Sequence, residues 1–447
     1  MKTLNPSTTA QLNKLIEFRQ TMYDHILVRV KDAQFEVVDA LLLSDRVGSF
    51  AELSLTPVFR RRWSSVYQAV EAGDQDLAQL RQSFMEQVPR TGVQVLPLDT
   101  TMWVHPRART LAGLVYGRSP TQALKRHSIV QGHVYSLLTW TPEPGRSWSL
   151  PLSSHRVGAT ESAIEAGVAQ VTAWCQARQG LKQAGLDVIV ADGHYGNHRF
   201  FGPLQALAVA VLARLYRNRV LYGEPGPYQG RGRPRVHGAR FAFKEAESWP
   251  EPDEQITFEH ERWGTVQLRR WNSFHAKQDA QTPFDVILAE VHLERDTPPA
   301  PLWLGYLPDP TSPLQPDVVQ IWSWFDYRWP IEPSIRFRKQ QLNWTLPRFQ
   351  DSEQCDRWTR LVELAYWQVF QARQLVQDQP LPWQKAQAVL TPTRVLRGLG
   401  AIFAQIGTPT QPPQPRGKSP GWPQGRPRPR PKRYKPTKRG RKKPKSA

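Results

Sequence analysis

Cysteine is scarce: Cys175 and Cys355 are the only two in 447 residues. That excludes a disulfide framework and a cysteine-rich zinc site, and it fits a reducing compartment. Long apolar runs are missing as well. The longest, around Ala206 to Leu212, falls far short of the ~20 residues a spanning helix needs. The opening Met1-Lys2-Thr3-Leu4-Asn5-Pro6 has no apolar stretch of the signal-peptide kind. A cytoplasmic protein without a membrane partner is therefore expected. Acidic residues are absent from Thr408 onward, a stretch that holds 14 basic residues and 11 of the 40 prolines. What is plentiful is apolar and aromatic: 40% hydrophobic content and 17 tryptophans exclude a wholly disordered chain. At roughly 150 residues per domain, the length allows two or three domains.

The net charge of +20 is unevenly spread, since the 14 tail cations leave +6 on the rest. A Pro-rich, acid-free segment of this kind is expected to be disordered and to bind phosphate backbones by counterion release. DNA, RNA and an anionic membrane satisfy that charge equally, and so does a merely solubilising role.

Helical periodicity marks residues 1–91 as a helical region: Leu12, Leu15, Ile16, Phe18 and Met22 form one stripe, and Phe50 to Val70 reads as a helix pair. Arg60-Arg61-Arg62-Trp63 within it is either a solvated basic face or a DNA contact. From Gly92 the texture changes. Val93 to Asp99 is an apolar run of strand length ending in a carboxylate, and strand-like runs follow at Ile129–Trp140 and Trp148–Arg156. A helix is expected over Thr160–Gln179 with Thr160 as its cap. Leu186 to Asp192 is a buried-type strand ending in a second carboxylate and Gly193, followed by a helix near Asn197–Leu207 and a strand over Ala208–Tyr216. This alternation predicts an α/β unit. Residues 217–319 interrupt it as a β-rich insertion. Helical pattern resumes at Val318, runs past Trp329-Pro330 to about Leu342, and returns at Cys355–Gln377 and Trp383–Phe403. The expected parts are therefore a helical region over 1–91, a core over 92–345, C-terminal helices over 346–407 and a tail over 408–447.

Three acids stand out by context: Asp99 and Asp192 at strand ends, where a rigid carboxylate meets solvent, and Glu332 near a helix start. An Asp at a strand end is as often a turn former. Glu332 has telling neighbours in Phe325-Asp326-Tyr327-Arg328-Trp329-Pro330-Ile331-Glu332, with Lys339 seven residues on. Pro330 and Pro333 are tolerated only in a first turn, which puts the helix start near Pro330. Seven residues advance about 700°, so Glu332 and Lys339 share one face. The carboxylate can ligate a metal, the ammonium can hold a phosphate, and Arg328 can grip the same strand.

In order and context these residues resemble the DDE transposases of bacterial insertion sequences, with their ribonuclease-H-like core. The nearest branch carries a tyrosine–arginine–glutamate–lysine signature; Arg328, Glu332 and Lys339 match its last three positions, while Phe325 stands at the tyrosine position. Asp192-Gly193-His194-Tyr195-Gly196 is similar to the family's second-aspartate box. The resemblance implies an α/β fold with a ribonuclease-H-like mixed sheet, metal ligation by Asp99, Asp192 and Glu332, and two Mg²⁺ ions, Mn²⁺ being possible. It further implies cleavage and strand transfer on double-stranded DNA at terminal inverted repeats and a target, a dimer once two ends are paired, DNA-end binding by the helical region and association with a prokaryotic nucleoid. The residue types suit the reaction, because in-line displacement at phosphorus is served by two metals on hard oxygen ligands. A stand-alone metal-dependent nuclease and an inert or domesticated DNA-binding protein are the rival readings.

Other candidates are secondary. Gly-Arg-Pro-Arg occurs at Gly232–Arg235 and Gly425–Arg428; both copies resemble minor-groove AT-hook cores, which makes Arg233, Arg235, Arg426 and Arg428 candidate DNA contacts. If the second strand is cut through a hairpin, an aromatic ring can offset the unstacking of a base, and Trp303 is the candidate, the alternative being a core tryptophan packed under the sheet. Asp187, Asp285 and Glu290 are expected to be structural, and His194 a turn residue. His105, His127 and His133 show no metal-ligand spacing.

Overall fold

The computed structural model describes residues 6–44, 47–118, 129–180, 185–228, 230, 232–292, 300–415, 421, 423–427 and 430–438. The chain begins with α1 (Pro6–Thr21), β1 (Leu27–Arg29), α2 (Lys31–Leu43), α3 (Ser64–Glu71), β2 (Asp74–Gln75) and α4 (Leu77–Glu86). Then come β3 (Gly92–Val104), β4 (Val115–Arg118), β5 (Ile129–Trp140), β6 (Leu150–Arg156), α5 (Ala163–Arg178), β7 (Gly185–Ala191), α6 (His198–Leu204) and β8 (Ala210–Leu215). The expected interruption supplies β9 (Val220–Tyr222), β10 (Arg240–Ala242), β11 (Glu254–His260), β12 (Gly264–Ala276), β13 (Asp279–His292) and β14 (Leu302–Leu307). The last helices are α7 (Val318–Phe325), α8 (Ile331–Gln340), α9 (Ser352–Gln371) and α10 (Pro392–Ile406).

One end of the large sheet is a meander, β3-β5-β6, antiparallel throughout, to which β7 adds parallel to β3 and β8 parallel to β7. That order and sense define the ribonuclease-H-like mixed sheet. The insertion does not stand apart. β14 pairs antiparallel with β8, and β13, β12, β9 and β10 carry the same sheet outward to twelve strands. The run expected over Ile256–Phe274 is a hairpin, turning at residues 261–263 between β11 and β12.

Alternation along β3 sends its side chains to two faces. Leu96 and Leu98 join Val171, Trp174 and Phe200 beneath α5 and α6, whereas Val95 joins the cluster under α7, with Val188, Val190, Ile321 and Trp322. The α5 helix starts two residues later than expected. Its cap is Ser162 rather than Thr160, because Ser162 with Glu165 three residues on completes a reciprocal capping box. The last helix also starts late, at Pro392 and not near Trp383, since Pro392 fits a first turn.

Helices from both ends of the chain share one core. Phe50 meets Trp358 edge to face at 5.0 Å, and Phe84 stacks on Trp367 at 5.5 Å. Arg19 of α1 is buried against Asp39 of α2 at 2.7 Å and Gln368 of α9 at 2.5 Å, and reaches the Gly407 carbonyl at 3.1 Å. The described residues of 6–91 and those of 346–407 thus form one helical layer. Parts of the tail meet the body beside β4: Tyr434 N–H donates to Arg109 O at 2.7 Å and Thr437 N–H to Leu114 O at 2.8 Å.

Candidate active site

Parallel pairing of β3 and β7 places Leu98 in register with Ala191. Asp99 and Asp192, each the next residue, therefore stand side by side at one level, Asp192 just past the end of β7 but Asp99 inside β3, which runs on to Val104 instead of ending at the carboxylate as expected. Asp192 closes a tight turn, its Oδ1 accepting the His194 N–H at 2.9 Å. His194 is exposed there, as a turn residue should be, while the Tyr195 ring is buried beneath. Gly196 has no alternative, because a Cβ there would lie 2.1 Å from the Arg214 carbonyl oxygen.

The third acid arrives from far along the chain. Pro330 caps α8 and Glu332 stands in its first turn. Arg328 joins the acids, 3.3 Å from Asp99 Oδ2 and 3.4 Å from Glu332 Oε1. Two helical turns on, Lys339 Nζ donates to Thr101 Oγ1 at 2.8 Å and to Met102 O at 2.9 Å. The α8 helix thus lies along β3, with Glu332 towards Asp99 and Lys339 a few residues farther up the strand. The shared helical face expected for Glu332 and Lys339 is the face that meets β3.

The electrostatics mark the cluster. Burial pushes the Asp99 carboxyl up to about 6; Arg328 and the Thr100 N–H pull it down, and the neighbouring Asp192 and Glu332 charges push it up again. Burial, aided by Arg338, lowers Lys339 to about 8. Three carboxylates beside one guanidinium leave two negative charges over when all are ionised. Like charges crowded in a partly desolvated site are costly without a counter-cation. The donors are all hard oxygens, so the residue types suit divalent ions of the magnesium type, which Asp99, Asp192 and Glu332 would hold.

The remaining candidates separate clearly. Asp187 is buried against Trp174 Nε1 at 3.1 Å, with Arg178 at 3.5 Å. Asp285 pairs with Arg270 at 2.6 Å, and Glu290 pairs with Arg269. All three are structural. Arg233 and Arg235 are exposed in the β9–β10 loop and Arg426 is exposed in the tail; Arg428 and His127 lie outside the described residues. Trp303 is misplaced for base stacking. It is 3% exposed and stacks on Phe243 at 4.0 Å, with Trp271 and Trp249 around it. A ring sealed in an aromatic cluster cannot reach a nucleobase, so Trp303 is a core residue. Two exposed rings do lie near the acids: Tyr216, against Gly193, and Trp329, directly after Arg328, each 50% exposed. The trace of Trp329 in the sequence is its adjacency to Arg328.

Residues 21–273 match the DDE superfamily endonuclease family. The match covers more than half of the chain and includes Asp99 and Asp192. The chain belongs to this family, whose members are nucleases that act on DNA and generally use divalent metal ions. Glu332, Arg328 and Lys339 lie beyond the matched residues, and it is the packing of α8 on β3 that joins them to the two aspartates. No curated protein matches the chain, and among the described residues no helix is long and apolar enough to cross a membrane.

Proposed function

We propose that the protein is a DNA transposase that cleaves the ends of an insertion sequence and transfers them to target DNA. One observation carries this reading: Arg328 bridges Asp99 and Glu332, residues 233 positions apart in the chain, beside Asp192. Divalent metal, Mg²⁺ with Mn²⁺ as a substitute, would activate the attacking oxygen and stabilise the leaving one. Asp99, Asp192 and Glu332 would hold the two ions.

The chain's own cations handle the substrate. Arg328 offsets one of the three carboxylate charges in the free protein and is placed to turn its fork to a phosphate when the acids are otherwise engaged. Lys339 supplies a point charge two turns away, about 10 Å along the helix, in line with the next phosphates of a bound strand. The partners in this reading are the terminal inverted repeats and a target duplex within a prokaryotic nucleoid, with a dimer formed when two ends are paired. Arg233, Arg235, Arg426 and Arg428 would add sequence-tolerant groove and backbone contacts.

Incubating the full chain with labelled element ends and Mg²⁺ tests the proposal. Cleavage at the terminus followed by joining to a second duplex is expected. Cleavage without joining, on ends and unrelated DNA alike, would leave a stand-alone nuclease.

A further inference from the structure

Away from the acids, the same face of β3 ends in a second cluster. Alternate residues Asp99, Thr101, Trp103 and His105 point one way, and Trp103 lies opposite His133 on β5, so His133 shares that face. Cys355, in the first turn of α9, closes the group from above. His105, His133 and Cys355 each offer a ligand atom, and these atoms all lie within 4.8 Å of one another. The residues are 6%, 1% and 0% exposed.

Hydrogen bonding in the cluster has a specific gap. The His133 Nε2–H donates to Ala112 O at 2.9 Å, which fixes the tautomer and leaves Nδ1 with a bare lone pair. That Nδ1 is buried without a partner, and so is His105 Nε2. Two orphaned ring nitrogens beside a thiol are costly as a packed core. A ligating imidazole, by contrast, commonly gives its other N–H to a backbone carbonyl, as His133 does. Burial pushes His105 down to about 3 and lowers His133 as well, so both rings are neutral and able to ligate. Burial and the Asp356 carboxylate push the Cys355 thiol well up while Arg156 opposes them, so it is a bound cation that would draw off the proton and make the thiolate.

We propose that His105, His133 and Cys355 form a zinc site that staples the start of α9 to the β3–β5 pair. One thiolate and two imidazoles are a borderline-soft set suited to Zn²⁺, and poorly suited to the hard ions of the carboxylate site. Water would take the fourth position. His105 also lines a cleft of about 970 Å³ with Trp103, Phe349 and Arg433, which gives ion and water a way in. The role is structural: the staple holds the far end of the strand that carries Asp99 and Lys339's partners.

The full chain, purified from zinc-supplied cells and dialysed against a weak chelator, should retain about one zinc by elemental analysis. Asp192→Asn should keep that zinc, and Cys355→Ser or His133→Ala should lower it at least tenfold. Less than about a tenth of an ion in the parent chain, or zinc unchanged in Cys355→Ser, overturns the proposal. A second arm leaves the site intact. Cys175→Ser makes Cys355 the sole thiol, so this variant grown with cobalt should show a thiolate-to-cobalt charge-transfer band. Absence of that band also overturns the proposal.

Discussion

At the scale of single residues, the acids and their cations divide the work. Asp99→Ala, Asp192→Ala or Glu332→Ala removes one hard oxygen ligand, and each should abolish end cleavage while DNA binding persists. A gel-shift beside a cleavage assay reads both, and cleavage within tenfold of the parent chain would remove that residue from the metal site. Lys339 adds a pH signature. With its ammonium lowered to about 8, raising the pH from 7 to 9 should strip its charge and weaken DNA binding, and Lys339→Arg should flatten that loss. The stability effect has the opposite sense. A free lysine titrates near 10.4, so between about 8 and 10.4 the unfolded chain binds this proton more tightly, and the folded state gains from rising pH in that window.

Elements position those residues, and their packing tolerates little change. Gly196→Ala would drive a methyl into the Arg214 carbonyl, shifting the turn that presents Asp192. A loss of about 1–3 kcal/mol is expected, with a cleavage defect larger than the fall in Tm explains. Trp303→Ala should cost about 3–5 kcal/mol, since it empties the centre of the Phe243–Trp271–Trp249 cluster. Thermal unfolding measures that cost. Trp303→Phe, which keeps most of the stack, should restore the Tm together with the cleavage products.

Across the whole molecule, the shared helical layer makes the chain a single folding unit over most of its length. Residues 92–345 expressed alone would lose Trp358, Trp367 and the helices that cover β5 and β6. That fragment should be insoluble or molten by near-UV circular dichroism. The tail needs two cuts to be read properly. The Thr410 side chain accepts from Arg60 and donates to the buried Glu36 at 3.2 Å. Deleting from Thr408 should therefore cost stability as well as DNA affinity, by about 1–2 kcal/mol. Deleting from Pro412 spares those bonds, gives up the Tyr434 and Thr437 backbone contacts, and should mainly flatten the salt dependence of non-specific DNA binding.

The sequence by itself determined the local features. Strand-length apolar runs at β3, β5, β7 and β14 were legible because alternation and burial leave a period in the residues themselves. Asp99, Asp192 and Glu332 were legible as candidates because each follows an apolar run or opens a helix, although β3 itself runs on past Asp99 to Val104, and Pro330 with Pro333 fixed where α8 begins. Only the tertiary structure decided which of these meet. Sheet order is set by long-range pairing, so nothing local showed that the insertion would extend the sheet from β8, or that helices from both ends would share a core. Trp303 reads the same in sequence whether it faces solvent or three other aromatic rings. His105, His133 and Cys355 have no common spacing at all: they come together because two strands pair in register and α9 lies across them, a coincidence in space that leaves no trace along the chain.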